Sequence, residues 1–131
     1  MKTITSTTTS TATGTVTRTV TSPQVDITRP RIVIVGAGFG GLRAASELAD
    51  CDVDVLLVDQ RNHHTFQPLL YQVATAGLDA DDICHATRGI VASQTNARAV
   101  QATVTGIDTE ARLVHIAEGE PIAYDLSLIH I

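Results

Sequence analysis

The sequence is poor in three features that would each indicate a particular class of protein: paired cysteines, clustered positive charge and long apolar runs. Its two cysteines, Cys51 and Cys84, stand far apart and lack the His spacing of a zinc site, so we expect each to be a small buried or half-buried residue. The nine Lys and Arg residues are scattered and the formal net charge is -5, which argues against a nucleic-acid partner. No apolar run approaches the length that spans a bilayer, and the N-terminus lacks the apolar stretch of a secretory signal. We therefore expect a reducing, aqueous compartment.

The composition that remains is typical of one α/β domain: 131 residues, of which 44% are apolar and 18% charged. Residues 1–29 are predicted to be a disordered tail, because Thr and Ser dominate the stretch up to Gln24. Alternating Thr would also suit a strand, but only Val16 and Val20 offer side chains to bury. The folded part is predicted to begin at Pro30.

The first elements of the folded part form a βαβ pattern. Residues 31–35 are a short β-branched run, which predicts a parallel strand covered on both faces. A glycine-rich turn follows at residues 36–41, and apolar residues then recur at helical spacing through residues 42–49. Residues 53–58 predict a second strand.

The next segments are less regular. Residues 63–68 are interpreted as a loop and residues 69–74 as a short helical or irregular apolar stretch. Asp79 is predicted to be the N-cap of a helix that runs to about Val91. A third parallel strand is predicted near residues 97–102.

Three short apolar segments close the pattern, at residues 103–108, 113–116 and 122–124, and turn-prone residues separate them. They predict an antiparallel meander. A βαβ unit followed by a meander favours an FAD-type over a simple NAD-type Rossmann domain. The fold class that we predict is α/β: a Rossmann-like FAD-binding domain in which an antiparallel β-meander is inserted in a parallel sheet.

The glycine turn carries the most specific chemistry. Gly36 permits a tight bend, Gly38 lets the backbone approach a pyrophosphate, and Gly41 lets the helix pack closely on the strand. The helix N-terminus supplies unpaired N–H groups and partial positive charge for an anion. Asp59 stands at the end of the second strand, where a carboxylate accepts hydrogen bonds from ribose hydroxyls.

The stretch RNHHTFQPLLYQVATAGL, residues 61–78, resembles the signature that follows the second strand in type II NADH dehydrogenases, the single-subunit, non-proton-pumping NADH:quinone oxidoreductases. The GAGFGGL turn, the VTGID segment and the Tyr124-Asp125 ending extend the resemblance over residues 31–125. The resemblance thus covers nearly all of the predicted domain.

The resemblance implies that FAD binds to this chain. The diphosphate would be held by Gly36, Ala37, Gly38, Phe39, Gly40 and Gly41. Asp59 would hold the ribose, Arg61 would lie near the adenosine, and Val104 would meet the adenine through its backbone. The loop of residues 66–75 would approach the isoalloxazine ring, where Gln67 and Thr75 are the best-placed polar groups.

Other residues of the same stretch keep simpler interpretations. Leu69, Leu70 and Val73 also suit a plain apolar core, and His63 and His64 are interpreted as loop residues that touch no reactant. No catalytic residue and no metal ligand is assigned. Because no cysteine lies within residues 59–80, the thiol relay of disulfide-reducing relatives is unsupported.

The implied activity of the parent protein is hydride transfer from NADH to FAD, followed by transfer of two electrons to a membrane quinone. The resemblance implies a peripheral protein on the cytoplasmic side of the inner membrane and is compatible with a homodimer. Two alternatives stay open. One is a related FAD-dependent reductase, of the sulfide:quinone or ferredoxin type, and the other is a non-catalytic nucleotide-binding module.

The resemblance stops after Asp125. Residues 126–131, LSLIHI, match the translation of CTGTCTCTTATACACATC, the transposase mosaic-end adapter used in library preparation, so we expect them not to be native. Residues 30–125 would then be the N-terminal part of an FAD-binding domain truncated at its C-terminus, without the second dinucleotide fold for NADH. We expect such a fragment to be inactive by itself, and either soluble or prone to aggregate.

Overall fold

The structure is a computed structural model that describes residues 29–129. The predicted disordered tail therefore lies outside the described residues, except for Arg29, and so does the end of the chain at residues 130–131. In chain order, the elements are β1 (Arg31–Val35), α1 (Phe39–Glu47), β2 (Asp54–Asp59), β3 (His63–Thr65), a 3-10 helix (Gln67–Leu69), α2 (Leu70–Ala74), α3 (Ala80–Ile83), β4 (Cys84–Ala86), α4 (Thr87–Val91), β5 (Ala97–Gln101), β6 (Val104–Asp108), β7 (Leu113–Ile116), β8 (Ile122–Ala123) and β9 (Leu126–Ile129).

A four-stranded parallel sheet is the centre of the fold. Its strand order is β5-β2-β1-β9, and each neighbouring pair is parallel. Strands β6, β7 and β8 form a separate antiparallel sheet in sequence order. The predicted βαβ unit, the third parallel strand and the antiparallel meander are all confirmed.

The β-branched run of β1 is explained by burial on both faces of the sheet. Ile34 packs in one buried cluster with residues of α1, α4 and β5. Val33 packs in a second buried cluster with Val58 of β2 and Val114 of the meander. Both β1 side chains are fully buried, and each contributes roughly 1.5–3 kcal/mol by leaving water. Helix and meander thus fix the sheet from opposite sides.

The predicted loop at residues 63–68 is wrong at its beginning. His63–Thr65 form β3, which pairs antiparallel with Cys84–Ala86 in β4. The pairing is bounded by two backbone bonds, from Phe66 N–H to Ile83 O at 2.8 Å and from Thr87 N–H to Asn62 O at 2.9 Å. A three-residue strand whose partner is distant in sequence has no local pattern that would reveal it.

The same pairing interrupts the helix predicted from Asp79 to about Val91. Asp79 is the N-cap as predicted, and its N–H donates to the Asp82 carboxylate at 3.1 Å. The helix ends at Ile83, because residues 84–86 are drawn into β4, and α4 begins only at Thr87. The ladder with β3 therefore overrides the local helical preference.

The edge strand β9 consists of residues 126–129, for which the sequence predicts an adapter origin. It pairs with β1 from Ile32 to Val35, and all four of its side chains are exposed. Immediately before it, the Asp125 carboxylate accepts a 2.7 Å hydrogen bond from the N–H of Arg31. The backbone of almost any exposed sequence can pair at the edge of a sheet, so the pairing of β9 does not test whether residues 126–129 are native. The adapter assignment stays a prediction.

Candidate functional site

The glycine turn, residues 36–41, connects the carboxyl end of β1 to the first turn of α1. Gly36 has a φ of 102°, a left-handed conformation that favours glycine. Its N–H donates to Val58 O of β2 at 2.8 Å. The chain is thus turned out of the sheet at its carboxyl edge, where ligands bind in open α/β folds.

Nothing in the local structure of the chain requires glycine at position 38. Its φ is -74°, which any residue adopts, and a Cβ built on it would meet nothing within 4 Å. Open space in front of the backbone at this position is what a pyrophosphate would require. The turn therefore fits a dinucleotide by its shape.

The first turn of α1 supplies the donors for an anion. Its first intrahelical bond runs from Leu42 N–H to Gly38 O at 3.0 Å, so the preceding amides of the turn have no acceptor within the helix. No acidic residue lies in this first turn. Unpaired N–H groups and the positive end of the helix dipole can therefore act on a phosphate without a competing carboxylate from the helix itself.

Asp59, at the end of β2, is tied to the turn by its side chain. One carboxylate oxygen accepts from Ala37 N–H at 2.6 Å, and the other accepts from Arg61 N–H at 2.7 Å. Each oxygen keeps a further lone pair for another donor. The carboxylate is thus held in place beside the turn and retains the capacity to accept from ribose hydroxyls.

His64 also contacts the turn, which the interpretation of the His pair did not foresee. Its Nδ1 lies 2.9 Å from the carbonyl oxygen of Ala37. The imidazole packs edge-to-face on Phe39 with ring centroids 5.0 Å apart, and Phe66 packs on the same Phe39 ring at 5.4 Å. We call Phe39, His64 and Phe66 the aromatic cluster. No sequence signal could have shown this contact, since 27 residues separate His64 from Ala37.

His63 lies in β3 and not in a loop as predicted, and the expectation that it touches no reactant stays a prediction. It is exposed, and its Nδ1 lies 3.1 Å from Oδ1 of its neighbour Asn62. The two adjacent histidines thus face different surroundings, as consecutive residues of a strand do.

The remaining predicted site residues lie on other elements. Gln67 follows Phe66 at the start of the 3-10 helix and is exposed. The Thr75 hydroxyl donates to the carbonyl oxygens of Tyr71 and Gln72, at 3.0 and 3.2 Å, and so caps the end of α2. Val104 begins β6 and packs on the buried cluster of the meander. Hydrogen bonds bring the turn, Asp59 and Arg61 together, whereas the Thr75 hydroxyl bonds to α2 and Val104 packs with the meander.

The cysteines and the side chains that could bind a metal are dispersed over the described part of the chain. Cys84 is half-buried as expected, and its sulfur lies 3.5 Å from the Thr65 hydroxyl. The expectation for Cys51 was wrong, because it lies exposed in the connection between α1 and β2. Both are free thiols. Between residues 29 and 129, no three His, Cys, Asp or Glu side chains converge as a metal site would require. No helix in the same range is both long enough and apolar enough to cross a membrane.

The family model for pyridine nucleotide-disulphide oxidoreductases matches residues 30–129. The chain belongs to this family. Among curated proteins, it is 49% identical over 86 residues to the type II NADH:quinone oxidoreductase NdhA of Mycobacterium tuberculosis, which covers 66% of this chain and 18% of NdhA. It is 44% identical over 98 residues to Ndh of the same organism, which covers 71% of this chain and 21% of Ndh. The chain thus spans about a fifth of the length of these relatives.

A solved structure supports the fold. The sulfide:quinone oxidoreductase of Aquifex aeolicus aligns with a TM-score of 0.71 at 24% identity, over 76% of this chain and 24% of that one. At this identity the likeness concerns the fold alone. It agrees with the α/β class predicted from the sequence.

Proposed function

We propose that this chain binds FAD and forms the N-terminal, FAD-binding part of an NADH:quinone oxidoreductase. The observation that carries the proposal is the backbone of the glycine turn, which is open in front of Gly38 while Asp59 holds the preceding amide of Ala37. Such a surface suits a diphosphate next to a ribose.

FAD is favoured over NAD by the order of the elements and by the relatives. The antiparallel meander β6–β8 follows the parallel strand β5, and the type II NADH:quinone oxidoreductases NdhA and Ndh are relatives of 49% and 44% identity. The resemblance of residues 61–78 points to the same group. The alternatives of a sulfide:quinone or ferredoxin-type reductase rest on likeness of fold alone.

The residues of this chain would bind and orient the cofactor. The amides of the glycine turn would hold the diphosphate, Asp59 the ribose, Arg61 the neighbourhood of the adenosine and Val104 the adenine. Gln67 and Thr75 would contribute polar groups near the isoalloxazine ring. When bound, FAD supplies the capacity to take a hydride from NADH and to pass two electrons to a quinone.

The parent protein would use NADH and a membrane quinone as substrates, as part of a respiratory chain on the cytoplasmic side of the inner membrane. The chain spans about a fifth of the length of its relatives. We therefore assign FAD binding to this chain and propose that NADH binds elsewhere in such an enzyme.

A transplant tests the proposal directly. Residues 30–125 would replace the matching segment of the NdhA relative, and the purified chimera would be assayed for bound FAD and for NADH oxidation with a soluble quinone. We expect stoichiometric flavin and measurable NADH:quinone reductase activity. A chimera that folds but binds no flavin would refute the assignment.

Titration of the chain itself distinguishes the cofactors. Flavin fluorescence with FAD should report binding, and NADH at equal concentration should compete poorly. Equal or tighter binding of NADH would favour the nucleotide-binding module instead.

A further inference from the structure

We propose that His64 is a positioning residue for the glycine turn, and that its side chain sets the direction of the Gly38 N–H group that would face the FAD diphosphate. The inference rests on the proposed function for the identity of the ligand. The geometry that suggests it, a 2.9 Å contact between His64 Nδ1 and Ala37 O, belongs to the chain alone.

The bond fixes a protonation state. A backbone carbonyl only accepts hydrogen bonds, so Nδ1 of His64 must carry the proton and donate it to Ala37 O. In the neutral ring, Nε2 is then the unprotonated nitrogen. This tautomer can be measured independently of any cofactor.

The bond also fixes a peptide plane. No cis peptide occurs in the described part of the chain, and a trans peptide holds its C=O and the following N–H in opposite directions. Ala37 O and Gly38 N–H belong to one such plane, so holding the carbonyl sets where the N–H of Gly38 points. Asp59 does the same for the preceding plane by accepting from Ala37 N–H at 2.6 Å. Two consecutive peptides of the turn are thus oriented by two side chains.

The imidazole is itself held against rotation. The final torsion of a His side chain is broad, so the ring needs contacts to keep one orientation. Phe39 packs on the imidazole edge-to-face, with an interplanar angle of 81°. Phe66 in turn packs on Phe39, at an interplanar angle of 90°. The backbone of His64 is fixed by the ladder, where it stands opposite His85 of β4.

The matched variants separate the donor from the ring. His64→Phe keeps an aromatic ring beside Phe39 but removes the donor. His64→Asn loses the ring but keeps an N–H on the atom bonded to Cγ, the position that Nδ1 occupies. His63→Phe is the control, because the side chain of the neighbouring His63 bonds to Asn62 and lies outside the aromatic cluster.

The cofactor experiment is an FAD titration of the full chain and these variants by flavin fluorescence, with unfolding measured in parallel. We expect His64→Phe to weaken FAD binding about tenfold, which corresponds to roughly 1.4 kcal/mol. His64→Asn should recover most of that loss, and His63→Phe should match the wild type. Wild-type affinity in His64→Phe, or no recovery in His64→Asn, would overturn the inference.

The second experiment separates this inference from the proposed function. Nitrogen-15 spectra of the imidazoles in the FAD-free chain, at a pH where they are neutral, should show His64 protonated on Nδ1. A proton on Nε2 would overturn the inference even if FAD binds well. A wild-type chain that binds no FAD but shows the Nδ1 proton would instead refute the proposed function and leave the orienting bond established.

Discussion

Gly41 in the first turn of α1 lies directly against the carbonyl oxygen of Gly36. A Cβ on Gly41 would overlap that oxygen, and it would also come within 3.3 Å of the Ile34 side chain. The helix and the end of β1 therefore approach more closely than any other residue would allow. Gly38, three positions earlier, has no such neighbour.

Gly41→Ala should destabilise the chain strongly. The obstacle is backbone, which cannot rotate away as the end of a side chain can, so α1 must shift off the sheet. We expect a loss of about 3 kcal/mol or more, at or beyond the upper end of the usual cost of overpacking. Urea unfolding followed by far-ultraviolet circular dichroism measures it, and a midpoint equal to that of the wild type would show that helix and strand are less close in solution.

Gly38→Ala should affect FAD binding more than stability, the opposite of Gly41→Ala. Because its Cβ would meet nothing in the structure, the free energy of unfolding should fall only by about 0.5–1 kcal/mol, the cost of replacing Gly with Ala at an N-cap. FAD affinity should fall at least about tenfold, because the methyl group occupies space that the pyrophosphate needs. Unchanged FAD binding in a folded Gly38→Ala variant would contradict the placement of the diphosphate.

Asp59→Asn should weaken both the turn and its ligand site. The carboxylate accepts from Ala37 N–H and from Arg61 N–H, whereas an amide has one accepting oxygen and must turn its NH₂ toward the other N–H. One backbone donor loses its partner, at a cost of about 1–3 kcal/mol in the free energy of unfolding.

The control for Asp59 is Asp81→Asn in the exposed first turn of α3, which should cost well under that amount. Chemical denaturation gives both values. If the two variants unfolded at the same denaturant concentration, the bonds from Ala37 and Arg61 to Asp59 would contribute nothing.

Much of the fold could be predicted from local patterns. Periodicity reveals β1, α1 and the meander, because each element buries a face that its own residues define. Gly36, with its positive φ, also matches its predicted role as a tight bend. The Asp59 contact with the turn follows from the known geometry of a βαβ unit, in which both strands end at the same edge.

The pairing of β3 with β4 and the contact of His64 with the turn could not be predicted from the sequence. Both depend on contacts between segments far apart in the chain, and neither leaves a periodic signal in three-residue strands. His64 is predicted as a loop residue, whereas in the structure it lies in β3 and bonds Ala37 O.

Asn96→Ala should destabilise the chain, because it removes the centre of a buried hydrogen-bond network. The Asn96 amide donates to Leu48 O at 2.9 Å and to Cys51 O at 3.0 Å, and so satisfies carbonyls at the end of α1. Asn96 is only 8% exposed, so water replaces it poorly. We expect a loss of about 1–3 kcal/mol in the free energy of unfolding.

The control is Gln101→Ala, which removes one exposed hydrogen bond to Gln60 O and should cost at most about 0.5 kcal/mol. Equal midpoints for the two variants in urea would show that the network is solvated.

Ala76→Gly should stabilise the chain, while the same change two residues earlier should destabilise it. Ala76 has a φ of 57°, and the bonds around it, from Gly77 N–H to Gln72 O and from Ala76 N–H to Val73 O, form the C-terminal motif that favours glycine. Removing its Cβ relieves left-handed strain of about 1–2 kcal/mol and costs chain entropy in return, for a net gain of roughly 0.5–1 kcal/mol. Ala74→Gly, within α2, should instead lose roughly 0.5–1 kcal/mol. Thermal unfolding of the pair measures the difference. If both variants melted below the wild type by the same amount, α2 would not end in a left-handed residue in solution.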